Sequence, residues 1–197
     1  MIPKDITAMK PVISVIMLTA VLLGATSPCF GAVAIEGVAF EKTSRVGTND
    51  LHLRGVGLLR YMYFIKAYVG ALYMRPQDDA GQALAMTPRR LELQYFHAIS
   101  AADFAEATTQ KVKDNVSPET MASIQDRLKT FNALYRDVQP GDRYALTYLP
   151  GSGTELLLNG QSLGRIPGDD FAAAVFAIWL GPAPIDEDFR DTLLGVR

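Results

Sequence analysis

The sequence predicts an α+β fold, a largely antiparallel sheet carrying helices on one face, and three observations predict it. Strand-like segments with period-two alternation fill residues 37–96. Two helical segments with explicit start signals follow between Ser100 and Leu134. A three-strand meander and an apolar helix come next, giving the order of a sheet with helices packed to one side.

The chain opens as a secretory signal. Lys4 and Lys10 precede the apolar run Pro11 to Leu23, which is shorter than the ~20 residues a spanning helix needs. Ala32 and Ala34 supply the small-residue pattern for cleavage after Ala34, so residues 1–34 read as a cleaved signal peptide and 35–197 as one domain. A buried N-terminal helix or an uncleaved anchor are the alternatives. The expected location is the periplasm or the medium. The one cysteine, Cys29, leaves with the signal, so the mature chain has no disulfide and no thiolate nucleophile.

The elements of the domain follow in order. Gly37 to Phe40 is a short apolar strand, Asn49-Asp50 a turn signal, and Leu51 to Arg54 alternates. Tyr61 to Met74 is dense in aromatic and β-branched residues, with Ile65, Ala67, Val69 and Ala71 on one face and Lys66 and Tyr68 on the other. After Pro76-Gln77-Asp78-Asp79 a short helix is expected over Ala80 to Met86, and then a strand over Arg90 to Phe96. Ser100 with Asp103 caps the first long helix, whose Phe104, Thr108 and Val112 share a side. Ser117-Pro118-Glu119 opens the second, and Met121, Ile124, Leu128, Phe131 and Leu134 keep helical spacing, a pattern of core packing. Strands Tyr144 to Tyr148, Thr154 to Leu158 and Ser162 to Ile166 form the meander, the last two joined by the hairpin signal Asn159-Gly160. Helix Phe171 to Leu180 is apolar nearly all round, and Asp186 to Leu194 ends the chain.

Several function classes drop out. Charge is nearly balanced, 19 Lys+Arg against 21 Asp+Glu, with no basic stripe for nucleic acid. After the signal no apolar run is long enough to cross a bilayer. His52 and His97 are far apart with no ligand spacing, so neither a metal nor a cofactor is expected. Ser152 lies between adjacent glycines in a strand-to-strand turn, unlike a nucleophile elbow. Gly55-Val56-Gly57 does not precede a helix as a phosphate cradle would.

One constellation remains. Arg60 and Lys66 are cations in an apolar run among Tyr61, Tyr63, Tyr68 and Tyr73. A guanidinium holds a carboxylate through two parallel hydrogen bonds and a tyrosine hydroxyl adds a third. Bringing Arg60 to Tyr68 requires a hairpin between them. The competing account has Arg60 facing solvent or making a structural ion pair.

The run Gly55 to Met74 resembles the central hairpin of the chalcone-isomerase-like superfamily. Tyr148-Leu-Pro-Gly-Ser-Gly-Thr154, Leu158-Asn-Gly160, Ile166-Pro-Gly168, Asp170-Phe171 and Ile178-Trp-Leu-Gly181 resemble its exported bacterial members. The resemblance implies an open-faced β-sandwich, a curved, mainly antiparallel sheet with helices on one face and a cleft between the layers. It also implies ligand-binding roles for Arg60, at the position of the superfamily's anion-holding arginine, and for Tyr68, similar to the tyrosine of the fatty-acid binders. Phe104 stands where the plant enzymes carry an active-site tyrosine, Lys111 where they carry an asparagine, and Tyr68 where they carry a hairpin threonine. These departures remove the network that positions substrate and water.

The leading expectation is therefore a non-catalytic domain that binds a small amphiphilic, fatty-acid-like molecule, its carboxylate on Arg60 and Tyr68, its tail against Phe104 and Trp179. Two other readings stand beside it. One is an isomerase acting on a chalcone or other unsaturated carbonyl compound, with Arg60 stabilising an oxyanion. The other is a periplasmic scaffold for a protein partner, its cleft vestigial and Arg60 salt-bridged to a neighbouring acid.

Overall fold

The computed structural model describes residues 31–62 and 64–196; the signal-like segment up to residue 30, Cys29 with it, and Tyr63 lie outside the described residues. Two short strands, β1 (Ala32–Ile35) and β2 (Val38–Glu41), pair as a hairpin. The cleavage point expected after Ala34 falls within β1, where Ala34 lies opposite Ala39. Seven further strands make one antiparallel sheet in sequence order: β3 (Thr43–Val46), β4 (Asn49–Tyr61), β5 (Ile65–Met74), β6 (Arg89–Tyr95), β7 (Arg143–Leu149), β8 (Gly153–Leu158) and β9 (Gln161–Ile166). Helices α1 (Ala101–Asn115), α2 (Pro118–Asn132), α3 (Asp169–Leu180) and α4 (Glu187–Leu194) complete the α+β architecture, a curved sheet with helices on one side.

Both faces of the sheet are covered, unequally. The main core lies under the helices and joins Leu72, Leu91, Leu93, Leu146 and Leu156 of the sheet to Val112, Ile124, Leu128, Phe131 and the apolar α3. A smaller core on the other face holds Leu51, Val69, Ala71 and Tyr73 beneath Val38 and Phe40 of the β1–β2 hairpin. This is why β5 is buried along nearly its whole length instead of alternating.

Local differences from the sequence expectation have identifiable causes. Asn49 begins β4, and the turn sits earlier, with Gly47 at φ 59°. The aromatic run from Tyr61 is not one strand: it breaks at Met62, whose φ is 49°, and the chain reverses into β5. The short helix expected over Ala80 to Met86 is a single 3-10 turn, Ala80–Gln82. The capping signals act as read: Ser100 Oγ accepts from the Asp103 N–H at 3.1 Å, and Ser117 Oγ from that of Thr120 at 3.2 Å.

Glycines set the position of α4. A Cβ on Gly55 would stand 2.1 Å from the Thr192 carbonyl oxygen, and one on Gly57 or Gly70 within 2.9 Å of the Phe189 ring. The pair Gly55 and Gly57 therefore forms, with Gly70, a slot in the sheet into which α4 settles. Arg54, the extra residue at a register shift in β4, donates from Nε to the Leu194 carbonyl at 2.9 Å and secures the C-terminal end of the helix.

Candidate ligand-binding cavity

The space between the sheet and the helices is not filled. An apolar cavity of about 230 Å³ opens there, walled by Leu91, Leu93, Leu146 and Leu156 from the sheet and by Phe104, Ile178 and Trp179 from α1 and α3. Alternation delivers the sheet side chains, since every second residue of β6 from Leu91 to Tyr95 faces the helices.

Aromatic rings form the inner wall. Tyr68 and Tyr95 are cross-strand neighbours with centroids 5.4 Å apart, and Phe104 meets Tyr95 at 5.2 Å, Tyr144 at 5.3 Å and Tyr135 at 5.3 Å. Most of these hydroxyls are tied. Tyr135 shares a 2.8 Å hydrogen bond with Thr108, while Tyr144 accepts from the Arg136 N–H and donates to the Arg136 carbonyl. Two differ. The Tyr68 oxygen accepts from Trp179 Nε1–H at 3.0 Å, which leaves its own O–H able to donate into the cavity. The Tyr95 hydroxyl has no hydrogen-bond partner among the described residues.

Burial governs ionisation here. Loss of water pushes the Tyr68, Tyr95 and Tyr135 phenols well above the ordinary tyrosine value, so all three hold their protons at neutral pH. Each phenol therefore keeps an O–H that can donate. Charge enters at two lining positions. Asp103 accepts from the Ser100 hydroxyl at 2.7 Å as part of the α1 cap. Lys111 is the one cation of the lining among the described residues, with long contacts of 3.4 Å to the Pro184 carbonyl and 3.5 Å to Asp114.

Of the site residues expected from sequence, Tyr68, Phe104, Lys111 and Trp179 line this one cavity. Arg60 does not. It lies near Tyr68 in the β4–β5 ladder, yet a register shift there sets Leu59 opposite Tyr68 and Arg60 opposite Lys66, with Ala67 as the extra residue. Ala67 and Tyr68 consequently pack into the core under the helices, and Lys66 turns to the opposite face. Arg60 shares that face and stands 3.7 Å from Glu36 in the β1–β2 turn, while Lys66 Nζ is 2.5 Å from the same carboxylate. The ion-pair account of Arg60 describes its surroundings, and the bulge is the reason: it inverts the simple alternation that groups Lys66 with Tyr68.

Sequence reasoning passed over Tyr95, Tyr135 and Tyr144 as site residues. The alternation of Leu91, Leu93 and Tyr95 carried a signal for the first; the other two belong to the cavity only through the docking of α2 and β7. No group of three metal-binding side chains occurs among the described residues, and no helix of the described residues is long and apolar enough to cross a membrane.

Comparisons with known proteins agree with this architecture. The family model described as chalcone isomerase-like matches residues 32–195. No curated protein matches the sequence. Among solved structures, the crystal structure of an Arabidopsis thaliana fatty-acid binding protein superposes with a TM-score of 0.65 at 16% identity, covering 83% of this chain and 96% of that one. At that identity the likeness concerns the fold.

Proposed function

Since the chain belongs to the chalcone isomerase-like family, we propose that it is a non-catalytic member that binds a small amphiphilic acid of the fatty-acid type in the cavity beneath α1 and α3. The observation that carries this reading is the lining itself: an apolar, aromatic interior with one cation, Lys111, and a free tyrosine O–H at Tyr68. Lys111 and Tyr68 hold the carboxylate, and the tail runs along Phe104, Leu93 and Ile178. The polar pair sets orientation and the apolar walls supply most of the affinity. A volume of about 230 Å³ lies below the ~300–1,000 Å³ of pockets for drug-sized ligands, which favours acyl chains of medium length. The fatty-acid binding named for the Arabidopsis protein of like fold points the same way. A signal-like N-terminus supports a site of action outside the cytoplasm.

The isomerase reading finds little to use. A general base works best with a pKa near the working pH, and burial drives the cavity tyrosines away from it. Phe104 offers a phenyl edge with no hydroxyl, and Arg60 lies on the other face of the sheet. The scaffold reading draws on one observation, the Arg60–Glu36 pairing, and makes a different prediction for an acid-binding assay.

The test is native mass spectrometry of the purified protein, followed by release and identification of any small molecule and titration with saturated fatty acids of graded length. A retained or titratable medium-chain acid, weakened about tenfold by Lys111→Ala and unaltered by Arg60→Ala, is expected. Failure to take up any acid of the series would leave the scaffold reading in its place.

A further inference from the structure

The tip of the β4–β5 hairpin is built against the usual economy of a soluble surface. Of the six large apolar side chains that stand exposed among the described residues, three are at this turn: Tyr61 at 60%, Met62 at 59% and Phe64 at 74%. Met62 holds φ at 49°, a backbone region costly for a long side chain, and a 2.9 Å bond from the Phe64 N–H to the Met62 carbonyl closes the reversal. Tyr61, Met62 and Phe64 therefore stand outward at the turn.

Cations stand immediately behind this tip. Arg60 and Lys66 face each other across the ladder at the base of the turn, and the single carboxylate of Glu36 serves both, so the collar carries a net positive charge. Apolar and aromatic side chains at the point, with basic side chains one step back, match the profile of a lipid surface, where rings enter the acyl boundary and cations meet anionic headgroups. Its cations are paired to a side chain that an anionic headgroup can replace. Tyr68, which lines the cavity, lies four residues beyond Phe64 on the same hairpin, roughly 13 Å away at ~3.3 Å per residue.

We propose that the β4–β5 hairpin tip is a membrane-docking element that inserts Tyr61, Met62 and Phe64 into an anionic lipid surface while Arg60 and Lys66 engage its headgroups. The proposal goes beyond the binding of an acid in the cavity and does not depend on it, since vesicle binding is read without any ligand.

The experiment is flotation of the purified protein with vesicles of phosphatidylcholine alone and of phosphatidylcholine mixed with phosphatidylglycerol, the N-terminus verified by mass spectrometry and identical in every variant. Binding to the mixed vesicles and much less to the neutral ones is expected, with affinity falling as salt is raised. Phe64→Ser should reduce it about tenfold, and the double variant Arg60→Gln, Lys66→Gln about tenfold or more. A Phe64→Trp variant should show blue-shifted fluorescence on the mixed vesicles. Absence of binding to either vesicle, or binding that Phe64→Ser leaves unchanged, overturns the proposal. Self-association that Phe64→Ser abolishes, without vesicle binding, also overturns it and assigns the tip to a contact between copies of this chain.

Discussion

Tyr68 shows how much one side chain's neighbours decide. Its oxygen accepts from Trp179 and its ring packs against Tyr95 and Phe189, at 5.4 and 5.5 Å. Tyr68→Phe keeps the ring and removes the acceptor, so it should cost about 1 kcal/mol in urea denaturation. The same variant should weaken uptake of a medium-chain acid several-fold, because the donor into the cavity is lost as well. Arg60→Ala makes the contrast: its pairing with Glu36 is long and nearly half exposed, so stability should change by less than about 1 kcal/mol and acid binding not at all. Arg89 is the residue least expected from sequence. Its side chain is wholly buried on β6, stacked over the Tyr148 and Phe176 rings at 4.5 and 4.4 Å, with Nη1 donating to the Ala85 carbonyl at 2.6 Å. Nothing in the local pattern Pro88-Arg89-Arg90 marked the first arginine as interior and the second as part of a half-buried ion pair with Glu92.

At the scale of elements, the helix starts were the most legible features. A serine cap is a local device, a side-chain oxygen meeting an N–H three residues on, and it needs no tertiary information. Ser117→Ala should therefore cost about 1 kcal/mol by chemical denaturation, with little effect on the cavity. Strand pairing was legible where a hairpin turn fixed it, as at Asn159-Gly160, where both residues take positive φ. It was not legible at the Ala67 bulge, because a bulge is a property of two strands together. The glycine slot is a similar case. Gly55→Ala places a methyl against the backbone of α4 and should cost about 3 kcal/mol, read as a lower denaturation midpoint. Gly141→Ala, where a Cβ meets nothing within 4 Å, tests φ strain alone and should cost less.

Taken whole, the molecule keeps its tyrosines protonated by burying them. Tyr68, Tyr73, Tyr95, Tyr135, Tyr144 and Tyr148 are all raised above the ordinary value of 10.0, Tyr148 to about 12 by burial and by the Asp169 carboxylate that accepts a hydrogen bond from its O–H at 2.6 Å. A phenol whose folded pKa is raised contributes stability that is fully present below pH 10 and lost as pH rises through the folded value. Arg89 works in the opposite sense: burial lowers it to about 10, so the folded state sheds that proton first and gains relative stability above pH 10. Six phenols outweigh one guanidinium. Stability should hold up to about pH 10 and then fall steeply, with most of the tyrosinate absorbance appearing together with the loss of far-UV circular dichroism. Ionisation of these six phenols in a still-folded protein would contradict this.

The sequence by itself determined the class of fold, the four helices, the strands from β6 onward, both serine caps and the helix faces that build the main core, because each depends on periodicity or on contacts within a few residues. Only the tertiary structure decided which side chains meet in the cavity. Tyr68, Phe104, Lys111 and Trp179 come from three elements distant in sequence, and their convergence depends on how far α1 and α3 stand off the sheet. Arg60 was separated from them by one extra residue in a strand. A one-residue shift reverses every side chain beyond it, and that shift is set by pairing between strands, which no single segment encodes.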